Sequence, residues 1–153
     1  MQSQRQSTLA DLSALYDEDF FEWTRRSAEL LRAGQLEQAD IEHIAEEIED
    51  MGKRDLRELY SRVQVLLIHL LKWQFQAEKR SQSLESTIAS QRIEIEGVIE
   101  QSPSLRDKLH TEGPHNYAQA VRRAVAQIGL PPGHFPAECP FTVEQILDPE
   151  FLP

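Results

Sequence analysis

Two groups of side chains in this chain combine residue types and spacing that chemistry could use. The first is His69 with Gln91, Arg92, Asp55 and Arg62, polar residues standing where a helical pattern calls for apolar ones. At 100° per residue, Arg92 lies about 40° and Gln91 about 60° from Ile88, on opposite sides, filling the gap between Ile88 and Ile95. Asp55 falls on an apolar stripe between Ile48 and Leu59. His69 flanks Leu66 by about 60°, with Arg62 one heptad earlier on the same side. Buried charge is costly unless it is paired, so Arg92 needs acceptors and Asp55 needs donors. If their two helices form an antiparallel pair turning near Lys79, Arg92 comes level with Leu66 and His69, away from Asp55. A guanidinium there keeps His69 neutral. This cluster reads either as a hydrogen-bonded network fixing helix register, or as a small ligand-binding pocket. In the second reading Arg92 holds an anionic group and His69 transfers a proton.

The second group is acidic: Glu42, His43, Glu46, Glu47, Glu49 and Asp50. His43 and Glu47, at i and i+4, could share a metal ion. Helical di-metal bundles need several carboxylates and two Glu-x-x-His repeats facing inward from different helices, which this block does not supply. His43 lies opposite Ile44 and Ile48, so the group is expected to be a solvated acidic face. His110, His115, His134 and Cys139 are scattered along loops and helix ends without zinc-ligand spacing. No serine or cysteine sits in a recognisable nucleophile setting. No catalytic residue, metal or cofactor is expected.

The elements that must position these residues are helical. From Ile41 to Trp73 the pattern is one long helix that changes character halfway. IEHIAEEIEDMGKRDLRE is amphipathic, whereas LYSRVQVLLIHLLKW is apolar nearly all round and therefore central to a bundle. Its stripe is Ile41, Ile44, Ile48 and Met51, then Leu59, Val63, Leu66, Leu70 and Trp73, with a kink plausible at Gly52. Asp40 suits its N-cap. An earlier helix is expected to start near Asp17, with Asp17, Glu18 and Asp19 at its positive end. Its stripe is Tyr16, Phe20, Trp23, Ser27, Leu30 and Leu31, and Gly34 stops it.

Downstream, Ser83 is expected to cap a third helix with its stripe at Leu84, Ile88, Ile95 and Ile99. Pro103 opens a short helix over Leu105 and Leu109. The helix from about His115 to Ile128 places Tyr117, Ala120, Val121, Ala124 and Ile128 on one face. After Gly129 the chain is too rich in proline for a helix until Thr142 and Gln145 form a capping-box pattern. Phe151 and Leu152 are expected to dock on the bundle. The fold class is all-α: an antiparallel helical bundle with one long central helix (about 40–73), two shorter C-terminal helices and a proline-rich tail. Residues 1–14 form a disordered or frayed N-terminus, and residues 15–153 a single all-helical domain with tail 129–153 packed on it.

Charge limits the partners. The chain carries −10 overall, and residues 17–58 hold 14 acids against 6 bases. Such a surface repels phosphate backbones, and Arg122 and Arg123 are too few to make a basic face, so no nucleic acid is expected. The longest apolar run is far below a membrane span, and residues 1–15 lack the apolar core of a signal peptide. A single cysteine suits a reducing compartment, and the protein is read as cytoplasmic with no membrane contact.

The EEIEDMGKRD block, the HLLKW segment, the SLESTIASQR stretch and the PSL turn occur together in this order. With the FPAECPFTVEQIL tail they make the chain resemble the bacterial domain of unknown function 29 family over about residues 15–150. The matching positions are Glu46, Glu47, His69, Leu70, Leu71, Lys72, Trp73, Gln91, Arg92, Pro103, Ser104 and Leu105. The resemblance implies a small bacterial all-helical protein and no established activity. Relatives often carry tryptophan where this chain has Leu84, a change that packing tolerates. The sequence therefore points first to a non-catalytic interaction or structural protein with a protein partner or a homo-oligomeric state, and an acidic bundle neutralising a basic partner is one concrete form. Its alternative is an enzyme or small-ligand binder using His69, Gln91 and Arg92.

Overall fold

A computed structural model of the chain describes residues 2–129 and 131–153, with side chains described throughout except for residues 2–8 and Pro132. Among the described residues seven α-helices follow one another: α1 Gln2–Glu18, α2 Phe20–Arg32, α3 Ile41–Phe75, α4 Gln82–Gln101, α5 Leu105–Thr111, α6 Gly113–Ile128 and α7 Val143–Leu147. Among the described residues there is no strand, and the fold is an all-α helical bundle. The chain falls into two compact units, residues 1–54 and 55–153, with α3 contributing to both. α3 runs through Gly52 without interruption.

The N-terminal unit holds two helices where the periodicity suggests one start near Asp17. Asp17 and Glu18 lie at the C-terminal end of α1, and Asp19 is the N-cap of α2, its carboxylate accepting from the Glu22 amide at 3.0 Å. Sharing one aromatic-bearing stripe across the junction had hidden the break. Gly34 ends α2 as expected: at φ 69° it lets its own amide reach the Leu31 carbonyl and the Gln35 amide reach that of Leu30. This pair of bonds is a Schellman stop.

In the C-terminal unit the second half of α3 is buried on most sides. Leu59, Val63, Leu66, Leu67, Ile68, Leu70 and Leu71 all lie in the core, together with Ile88, Ile95 and Ile99 of α4. Ala120 and Ala124 of α6 are wholly covered, the small side chains allowing the close approach their spacing suggests. Arg62 bonds Glu58 within α3 and Glu94 of α4 at 3.4 Å. Arg62 and Glu94 lie nearly level on either side of the turn at 76–81, as in antiparallel neighbours. Ser81, two residues before the expected Ser83, caps α4 by accepting from the Leu84 amide. The Thr142–Gln145 capping box forms in both directions at the start of α7.

The first half of α3 departs from its periodicity. Ile41, Ile48 and Met51 are 48%, 64% and 61% exposed, and the adjoining face, carrying His43 and Glu47, is the one that packs within the N-terminal unit. The reason lies in what α1 and α2 present. Tyr16 and Trp23 each bring a ring together with a polar hydrogen, and when buried that hydrogen requires an acceptor. A carboxylate face of α3 supplies acceptors; an isoleucine face cannot.

Candidate functional site

The richest polar constellation lies in the N-terminal unit and is built on Asp40, which is only 6% exposed. Oδ2 of Asp40 accepts from Trp23 Nε1 at 3.2 Å and lies 2.7 Å from His43 Nδ1. The His43 ring stacks on Tyr16 with centroids 3.9 Å apart and planes 13° off parallel. Tyr16 donates its hydroxyl to Glu47 Oε1 at 2.7 Å, and Phe20 and Trp23 complete the aromatic group. Asp40 immediately precedes α3 and its carbonyl accepts from the Ile44 amide, so it holds the N-cap position the sequence assigns to it.

Electrostatics tie these groups together. Burial by itself would raise the Asp40 pKa, but His43, Trp23 and the start of α3 outweigh it and hold the carboxyl below its ordinary range. The bond to Asp40 raises the His43 pKa. Tyr16 is pushed up to about 12, first by its bond to Glu47 and then by burial and the surrounding acids. His43 is thus not a solvated member of an acidic face, as its position opposite Ile44 suggests, but half-buried and bonded.

Ser13, His43 and Asp40 have the residue types of a nucleophilic triad, and the geometry decides against that chemistry. Ser13 Oγ lies 3.5 Å from His43 Nδ1, the nitrogen already engaged by Asp40. A triad needs serine on one ring nitrogen, which takes its proton, and the carboxylate on the other, which orients the ring and stabilises the imidazolium. Among the described residues, no group of three or more His, Cys, Asp or Glu side chains is arranged to hold a metal ion.

The residues singled out by periodicity in the C-terminal unit serve separate purposes. Arg92 is 5% exposed and spends its guanidinium on the tail: Nε donates to the Ile146 carbonyl at 2.9 Å, Nη2 to Gln145 at 3.3 Å and Nη1 to Pro149 at 3.5 Å. The Gln145 and Ile146 carbonyls belong to the end of α7, where helical partners run out, and that of Pro149 lies just beyond it. Desolvation lowers the Arg92 pKa, opposed by Asp148. His69 donates Nδ1–H to the Val65 carbonyl at 2.7 Å, and burial lowers its pKa, which favours the neutral ring. It lines a cleft of about 550 Å³ with Lys72, Gln76, Thr87 and Gln127, and Arg92 does not line that cleft. Gln91 keeps Oε1 buried without a hydrogen-bond partner. Asp55, placed by its spacing on the core stripe, is exposed, because that stripe is not the covered face of α3 on this side of Leu59.

Sequence reasoning missed the Asp40–His43–Tyr16 assembly, although Asp40 and His43 stand three apart, one helical turn, just before the acidic block. The signal was the polar tips on Tyr16 and Trp23, which need acceptors from another helix.

The family model described as "Domain of unknown function DUF29" matches residues 15–152. The chain belongs to the DUF29 family. Membership covers both units of the DUF29 chain, from Leu15 just before the stacked tyrosine to Leu152 in the tail. No curated protein and no solved structure matches it. No helix among the described residues of this DUF29 chain is long and apolar enough to cross a membrane.

Proposed function

We propose that the chain is a non-catalytic protein-interaction module of the cytoplasm, and that its N-terminal unit carries the contact face. One observation supports this reading above the rest. Of the nine large hydrophobic residues exposed among the described residues, seven belong to the N-terminal unit: Phe20, Phe21, Leu31, Leu36, Ile41, Ile48 and Met51. Exposed apolar side chains gathered in one small unit are the usual mark of a surface that another protein covers. Ile41, Ile44, Ile48 and Met51 repeat at intervals of three and four, the spacing with which one helix seats another.

The charge of the same segment selects the partner. With 14 acids and 6 bases over residues 17–58, two copies brought face to face would repel. A partner with an apolar ridge flanked by lysine or arginine is complementary in both respects. The commitment of Arg92 to tail carbonyls, and of Ser13 and Asp40 to the same nitrogen of His43, argues against an enzyme.

Native co-purification tests this reading. Tagged wild-type chain at low salt is expected to recover a basic partner that high salt releases, and the double variant Ile48→Glu, Met51→Glu is expected to lose it. Recovery of the bait alone at low salt, or of the same partner by the double variant, would sink the proposal.

A further inference from the structure

A cavity of about 450 Å³ lies within the C-terminal unit, between α3, α5, α6 and the tail. Its walls are made chiefly of Leu67, Leu109, Tyr117, Phe141 and Ile146, residues of the hydrophobic core. His110, Pro114, Ala118, Ala137, Glu138 and Thr142 around it are exposed, so it opens to solvent above this apolar floor. The buried polar groups of the floor already have partners. The Tyr117 hydroxyl is spent on the Pro136 carbonyl at 2.7 Å. Asn116 accepts from Gln64 and donates to the Glu112 carbonyl. The volume here falls within the range of small-molecule sites, about 300–1,000 Å³.

We propose that this cavity is a binding site for a compact, uncharged, largely apolar molecule. The wall chemistry sets the class. Glu138 is the acidic group of the lining, and His110 at its edge lies 3.6 Å from Glu144, so an anion would meet carboxylates on entry. A cation would leave water for walls of leucine and phenylalanine, at a desolvation cost that a single carboxylate at the edge does not offset. The Cys139 thiol also lines the cavity and is half-buried, and burial raises its pKa, so it stands as a neutral, weakly polar group. This site is independent of the contact face in the N-terminal unit, since all its lining residues lie in 63–146.

Because Cys139 is the one cysteine of the chain, its alkylation reports on the cavity without any engineered label. Saturating 1-naphthol is expected to slow reaction of Cys139 with iodoacetamide several-fold in the wild-type protein. 1-Naphthoate, which has the same rings and a carboxylate, is expected to leave the rate unchanged. Intermolecular NOEs from naphthol protons to the Leu67 and Leu109 methyls and the Phe141 ring are the second, thiol-independent readout. An unchanged alkylation rate with no such NOEs overturns the site, and equal protection by naphthoate overturns its assignment to uncharged ligands.

Discussion

The charge state of His43 is governed first by Asp40, with burial opposing and Glu46 and Asp17 adding to it. Its pKa is raised by Asp40, and that of Asp40 is lowered mainly by His43 and Trp23 against the opposing effect of burial. A raised histidine pKa contributes stability that is complete below the ordinary value of 6.5 and disappears as pH rises through the raised one. A lowered carboxyl pKa contributes stability present above the ordinary 3.8 and lost as pH falls through the lowered one. The pair therefore supports the N-terminal unit most fully between about pH 4 and pH 6.5. NMR titration is expected to find the His43 ring still protonated above its ordinary range, and Asp40→Asn to bring it back to that range or below. A titration that Asp40→Asn leaves unmoved would mean that the two side chains are not bonded. This pairing was half legible: Asp40 reads as an N-cap from its type and place, while its bonds to Trp23 and His43 depend on which face of α3 turns toward α2.

Among the elements, the tail depends most on one side chain. α7 has five residues, too short to hold itself together, and it ends where Arg92 of α4 reaches three carbonyls. Phe141 and Phe151 pack edge to face at 5.9 Å, so the tail is held by an apolar contact as well. Arg92→Ala removes the charged donors and leaves the carbonyls unsatisfied, at a cost of about 3 kcal/mol. Urea denaturation measures that loss. Limited proteolysis is expected to remove residues after Ile146 faster than in the wild type. Arg92→Lys is expected to recover only part of the stability, since one ammonium cannot span three carbonyls as a planar guanidinium does. The need of Arg92 for acceptors was readable from its place between Ile88 and Ile95. Their identity was not, because the acceptors are backbone atoms more than fifty residues away.

Across the whole molecule, the buried apolar core and most of the exposed apolar side chains lie in different units. The C-terminal unit buries the apolar run of α3, and the N-terminal unit leaves Ile41, Ile48 and Met51 uncovered. Ile48→Glu and Met51→Glu are therefore expected to change the unfolding free energy by no more than about 0.5 kcal/mol each. Leu66→Ala, at a site with no exposure, is expected to cost about 3 kcal/mol. Parallel thermal and urea denaturation of these variants separates the two cases. A large loss from Ile48→Glu would mean that the stripe is a buried core and not a contact face.

Sequence alone determined the all-α class, the central helix to within two residues, the stop at Gly34, the capping box at Thr142 and the burial of Leu59, Val63, Leu66 and Leu70. These follow from local chemistry, in backbone freedom at glycine, side-chain caps and an apolar run with no polar face to expose. Tertiary structure decided which face of amphipathic α3 is covered near its start, and thereby joined Asp40, His43 and Tyr16 while leaving the isoleucines open. Periodicity marks a face without naming its neighbour. The choice fell to the acceptors that a half-buried tyrosine hydroxyl and a buried indole N–H find on α3 and its N-cap.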